Sequence, residues 1–193
     1  MQKESDFSCK SIVNVVVVHK DIINKKKSFF EEIGLNLRAV DIPEFSYRNY
    51  FEKKYYFGKI IALVVIKKNF CKLIILHKEN VYFSRSFKIQ YGGGFFDDIP
   101  ESEIVLEVQR SLDYYERQLK KIIPTLIIIF GENVVENKIT EVTRNSFNQD
   151  IFIESVDGFD FSEKDSLLSS RVIETYGASL RKDLINNVGI VPM

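Results

Sequence analysis

Hydrophobic positions along this chain follow two periodicities, and their alternation sketches the fold. Residues 12–19, "IVNVVVVH", repeat valine without alternation, the pattern of a strand covered on both faces. The next stretch, "KDIINKKKSFFEEIG", predicts a helix capped by Asp21 and stopped by Gly34. Ile22, Phe29, Phe30 and Ile33 form its apolar face, and Lys25, Lys26 and Lys27 a solvated one. "LNLRAVDI" then predicts a second strand, and "PEFSYRNYF" a short helix with proline in its first turn. Residues 12–52 therefore read β-α-β-α. The polar-aromatic break "KKYYFGK", 53–59, marks a subdomain boundary.

Three apolar runs follow closely, at 60–66, 70–77 and 81–89, joined by "KKN" and "KEN". Such short connectors predict an antiparallel meander, with Asn69 and Asn80 suited to a positive φ. The loop "KIQYGGGFFDDIP" leads into a helix running to about Lys121, with Asp98 spaced as its N-cap. Ile104, Val108, Leu112, Tyr115 and Leu119 recur at helical spacing on its buried face. A strand at 125–131, a helix near 134–147, a strand at 150–156 and a helix near 164–181 complete the pattern, and the tail "DLINNVGIVPM" reads as loosely ordered. Apolar runs alternating with helices imply parallel strands with right-handed crossovers. From residue 60 the order is β-β-β-α-β-α-β-α, that of ribonuclease H-like domains, the unit that actin-type ATPases use twice. The predicted domains are residues 12–55, a partial first half, and 60–182, a ribonuclease H-like second half.

Composition narrows the function classes. The 193 residues carry 27 basic and 27 acidic side chains, a formal net charge of zero that argues against a nucleic-acid binder. Cys9 and Cys71 lack CxxC spacing and read as free thiols. The start "MQKESDFSCK" has no apolar signal core, and "IIALVVI" and "TLIIIF" fall far short of the ~20 residues a membrane helix needs. Expected, then, is a soluble chain without direct membrane insertion.

Three segments carry a family resemblance. "EVQRSLDYYERQL" resembles the E-x-Q-R-S-L-D-Y-Y segment of the PilM and MshI proteins, actin-like cytoplasmic components of type IV pilus assembly. "GLNLRAVDIPEFSYRNYF" is similar to the MshI "IDIPE…RN" pattern, and "NVYFSRSF" to the family strand carrying a Ser-Arg pair. The motif residues are Glu107, Gln109, Arg110, Ser111, Leu112, Asp113, Tyr114 and Tyr115. The resemblance implies an α/β, actin-like (ribonuclease H-like) fold in truncated form. It also implies a cytoplasmic location, peripheral to the inner membrane through a bitopic partner of PilN or MshJ type.

The departures from the family bear on catalysis. Actin-like ATPases carry a D-x-G-x-x-x-T phosphate hairpin between the first two strands, but "VVIKKNFCKL" stands here, without Asp, Gly or Thr. After "TLIIIF" only Gly131 remains of the adenosine-side glycine motif, and a short stretch around Gly92, Gly93 and Gly94 replaces the subdomain that walls the adenine pocket in larger relatives. The triple glycine follows an antiparallel edge and no Lys-Ser/Thr comes after it, so it reads as a connector rather than a phosphate cradle. Asp97 and Asp98 lack a third ligand, and the first strand lacks the acid that a two-metal nuclease requires. His19 and His77 have no ligand spacing. Ser84 and Ser111 have no His/Asp arrangement. Tyr47, Tyr50, Tyr55 and Tyr56 are expected to be exposed and form the candidate docking region. The resulting expectation is a non-catalytic scaffold with no cofactor, docking the cytosolic tail of a membrane partner. A divergent ATP- and Mg²⁺-binding ATPase of PilM type is the alternative. Oligomeric state stays open.

Overall fold

A computed structural model describes residues 15–55, 58–67, 69–89, 100–131, 134, 136–154 and 166–181; side chains at 55, 136–138, 140 and 166–171 are excluded. The glycine loop with Asp97 and Asp98, together with Cys9, Tyr56 and the C-terminal tail, lies outside the described residues. The chain divides into two units, Met1–Val40 and Asp41–Met193.

In the first unit, helix α1 spans Lys20–Glu32. It starts one residue before the expected cap, with His19 at the N-cap position and Asp21 in the first turn. Gly34 ends it as expected: at φ +74° it lets its own N–H reach Glu31 O at 3.0 Å while Leu35 N reaches Phe30 O at 2.8 Å. That double bond satisfies the last carbonyls of the helix. Neither flanking strand appears among the described residues, where 15–19 and 35–40 pair with no strand. Val15–Val18, Ile22, Phe29 and Ile33 are exposed. Apolar sequence makes a segment able to enter a sheet, but a strand exists only where a neighbour accepts its backbone hydrogen bonds.

The second unit begins with α2, Pro43–Tyr55, followed by β1 Ile60–Lys67, β2 Phe70–His77 and β3 Asn80–Lys88. Helix α3, Glu101–Asp113, passes into a π-helical turn at Tyr114–Gln118. Then come β4 Leu126–Gly131, α4 Glu136–Ser146, β5 Asp150–Ile153 and α5 Ser166–Ser179. The sheet order is β3-β2-β1-β4-β5, with β1–β2 and β2–β3 antiparallel and β1–β4 and β4–β5 parallel. This mixed α/β arrangement is the ribonuclease H-like one expected from the element order.

Both faces of the central strands are covered, which is why their sequences do not alternate. Ala62, Val64 and Ile66 of β1 pack with Leu73, Ile127, Ile129 and the inner faces of α3 and α4. Leu63 and Val65 point oppositely and pack with Ile74, Ile128, Phe130, and Tyr47 and Phe51 of α2. Cys71 is fully buried, and burial pushes its thiol well above the ordinary value. β3, at the sheet edge, alternates because one face is thinly covered.

Three expectations change here. The boundary lies at Val40/Asp41 rather than at 53–59, so α2 belongs to the second unit instead of a domain spanning 12–55. The reason is that Tyr47 and Phe51 are core residues of that unit. In the β2–β3 turn the positive φ falls on Lys78, at +54°, and neither Asn69 nor Asn80 adopts one. Leu119 is exposed rather than buried. The wide π turn bonds Leu119 N to Tyr114 O at 3.2 Å and rotates the succeeding residues off the apolar stripe.

Candidate functional site

In open α/β sheets, ligands enter at the carboxyl ends of parallel strands. Here that end is formed by Lys67 of β1, Gly131 of β4 and Glu154 just after β5. Gly131 sits at φ +139°, and a Cβ on it would lie 1.9 Å from Ile66 O. No other residue allows β1 and β4 to close so tightly there. Lys67 and Phe70 pair directly, leaving a two-residue turn between β1 and β2.

Among the described residues two carboxylates stand at this end, each compensated. Glu174 of α5 accepts hydrogen bonds from Lys67 Nζ at 2.5 Å and from the Tyr47 hydroxyl of α2. Glu154, buried, accepts from Lys54 Nζ and, at 3.0 Å, from the Tyr50 hydroxyl. A carboxylate withdrawn from water needs such hydrogen bonds to offset its lost hydration. The arrangement can fix α2 and α5 over the strand ends by charge-assisted bonds. Among the described residues no three His, Cys, Asp or Glu side chains cluster as a metal site.

The expected tyrosine docking surface is therefore corrected. Tyr47 is 1% exposed, edge-on to Phe130 at 5.3 Å. Tyr50 is half-buried, edge-on to Phe51 at 4.9 Å. Both work from inside the α2–α5 packing. Tyr55 ends α2, with its side chain outside the description, and Tyr56 lies outside the described residues.

The motif residues of α3 divide by face. Val108, Leu112 and Tyr115 are buried, and burial together with neighbouring Tyr82 raises the Tyr115 phenol above its ordinary value. Gln109 and Tyr114 are exposed, while Asp113 is half-buried. Arg85 of β3 donates to Ser111 Oγ at 2.9 Å and to Glu107 Oε2 at 3.0 Å. Arg110 donates to Glu107 Oε1 at 2.6 Å, and Ser111 Oγ donates to Glu107 O at 2.7 Å.

On the opposite face of the same strand, Ser84 Oγ donates to Glu44 Oε1 of α2 at 3.1 Å, and Lys72 Nζ to the same oxygen at 2.6 Å. Burial works to raise the Glu44 carboxyl, but the Lys72 bond and charge, its own backbone N–H and Ser84 outweigh it, so it lies below the ordinary carboxylate value. The adjacent Ser84 and Arg85 thus tie the edge strand to α2 on one face and to α3 on the other, because successive strand residues point to opposite faces. Three segments far apart in sequence meet at β3. Sequence reasoning identified all three but missed Glu44, Lys72 and Arg85 as their junction; a side-chain pairing between elements leaves no local signal.

No family model matches this chain, and no curated protein matches it in sequence. A chain of a PilM–PilN type IV pilus biogenesis complex is similar in structure, with TM-score 0.60 and 12% identity over 86% of this chain and 58% of that one. This chain therefore spans less than two-thirds of that relative's length. A Bacteroides thetaiotaomicron protein of actin-like ATPase fold and unknown function aligns with TM-score 0.39 and 11% identity, over 58% of this chain and 39% of its own. The catalytic domain of human endonuclease V aligns with TM-score 0.31 and 8% identity, over 60% and 49%. The first likeness shows a shared fold; the other two are too partial to extend it.

Proposed function

We propose that this chain is a non-catalytic scaffold of a type IV pilus or related assembly, of PilM/MshI type. It docks the cytosolic segment of an inner-membrane partner of PilN or MshJ type and works at the cytoplasmic face of that membrane. The observation that carries the reading is the fold shared with a chain of the PilM–PilN complex over 86% of this one. The three resemblance-bearing segments converging on β3 support it, since a family pattern spread over the sequence becomes one structural junction.

The carboxyl ends of the strands favour scaffold over ATPase. Lys67 and Phe70 pair directly, so only two residues separate β1 from β2 and few backbone N–H groups are there for a triphosphate, and the two described carboxylates at that end are held by lysines rather than offered to Mg²⁺. The test has two arms. With this chain as bait on detergent-solubilised membranes, a single-span pilus-assembly protein should be recovered, and a synthetic peptide of its cytosolic tail should bind in calorimetry. Thermal melting with Mg-ATP should leave the midpoint unchanged. Saturable, Mg²⁺-dependent stabilisation would replace the scaffold reading with the divergent ATPase, because a ligand bound by the native state alone must raise its stability.

A further inference from the structure

At the end of the sheet opposite the paired carboxylates, two backbone irregularities lie side by side. The β2–β3 ladder slips between Ile75 and Leu76, leaving Tyr82 as an extra residue of the edge strand. Across from it, α3 opens into the π turn at Tyr114–Gln118. The aromatic rings connect them: Phe83 lies 6.1 Å from Tyr114 and 5.9 Å from Tyr115, and Tyr82 lies 5.9 Å from His77. Beyond the π turn the backbone folds back, with Lys121 N donating to Tyr115 O at 3.3 Å and Lys120 held at φ +51°. A lysine in the left-handed region is uncommon, and such conformations persist where the surrounding structure imposes them.

This turn carries apolar side chains outward. Ile122 is 76% exposed and Tyr114 49%, with Leu119 and Tyr82 exposed beside them. Arg117 and Lys120 are exposed and Lys121 half-buried around them, and the ion pairs among the described residues involve none of the three. Projecting isoleucine and leucine, a tyrosine pair and a rim of long cations form the combination that settles in a bilayer interface. The apolar tip enters the acyl boundary, tyrosine sits at headgroup depth, and lysine reaches anionic phosphate. A side chain exposed to this degree suits a flat surface better than the concave seat that a peptide needs.

We infer that the turn 114–122, with Tyr82, is a direct contact site for an anionic lipid surface. The sequence alone allowed membrane association only through a partner; this surface adds a contact made by the chain itself, and it does not depend on the proposed docking of a pilus-assembly partner. The test is co-sedimentation of the full chain, without any partner, on vesicles of phosphatidylcholine alone or mixed with phosphatidylglycerol. Binding is expected to the mixed vesicles only, and to weaken on raising ionic strength to about 0.15 M, where the screening length falls to ~8 Å. Arg117→Gln, Lys120→Asn and Lys121→Gln should each weaken it about fivefold. Ile122→Asp should abolish it while leaving circular dichroism and thermal midpoint unchanged, as expected at so exposed a position. Equal binding to both vesicle types, binding to neither, or binding retained by Ile122→Asp would overturn the proposal. If Ile122→Asp instead removed capture of the pilus-assembly protein in a chain that binds no vesicles, the surface would be a protein interface and the lipid assignment would fail.

Discussion

Replacing Gly177 by alanine tests the α2–α5 packing, because the expected sign is opposite to that of an ordinary helical glycine. Alanine at an open helix position stabilises by about 0.8–1 kcal/mol. At Gly177 a Cβ would stand 2.0 Å from Ser46 O and 2.7 Å from Ser46 C, both backbone atoms of α2. Relief to an ordinary contact of ~3.4 Å or more requires α2 to back away by over an ångström. That movement stretches the buried bond from Asn49 Nδ2 to Gly177 O, now 3.1 Å, whose loss costs about 1–3 kcal/mol. It also loosens Tyr47, Phe51 and Ile173 against the sheet, a packing strain of about 1–3 kcal/mol. Net destabilisation of about 1–5 kcal/mol follows after subtracting the propensity gain, or roughly 2–20 °C in thermal midpoint for a chain of this size. Urea titration should show a lower midpoint at unchanged slope. Ala178→Gly, at the exposed neighbouring position, calibrates propensity alone. If Gly177→Ala proved as stable as the native chain, or more so, the close approach of α2 to α5 would be refuted.

Arg85→Ala should cost about 1–3 kcal/mol in urea unfolding, since it leaves Glu107 and Ser111 without their cross-element partner, and a double-mutant cycle with Glu107→Ala should show coupling of about 1 kcal/mol. Glu44 titrates below its ordinary 4.5 in the folded state, so its contribution is fully present above pH 4.5 and is lost as pH falls from there through the folded value. Glu44→Gln should accordingly flatten the acid limb of a stability–pH curve measured by thermal melting and lower stability at neutral pH. Tyr47→Phe keeps the ring against Phe130 but removes the bond to Glu174; a loss of about 1.5–3 kcal/mol is expected in urea unfolding, and no loss would mean that the hydroxyl does not hold that carboxylate.

Most of the sheet was readable because its signal is local. Runs such as "IIALVVI" and "FCKLIILH" are too apolar to be anything but covered strands, and their short connectors allow only hairpins. The same logic overreached at "IVNVVVVH" and "LNLRAVDI", where equally apolar residues find no pairing strand among those described. It also misassigned α2, because the polar residues at 53–59 resemble a linker while Tyr47 and Phe51 commit the helix to the second unit's core. Tyr47 and Tyr50, which looked like interface residues, turned out to be supports for two carboxylates.

By itself, then, the sequence determined the element order from residue 60 onward, the covered strands β1, β2 and β4, the glycine stop of α1 and the segments that carry the resemblance. All of these depend on residues within a few positions of one another. Tertiary structure alone decided which side α2 joined, where the lysines and tyrosines met Glu154 and Glu174, and how Ser84 and Arg85 bind opposite helices. It alone also turned Leu119 and Ile122 outward, through a π turn that no residue pattern announced. Those outcomes depend on distances between elements, and such distances are fixed only when the sheet and its four helices pack together.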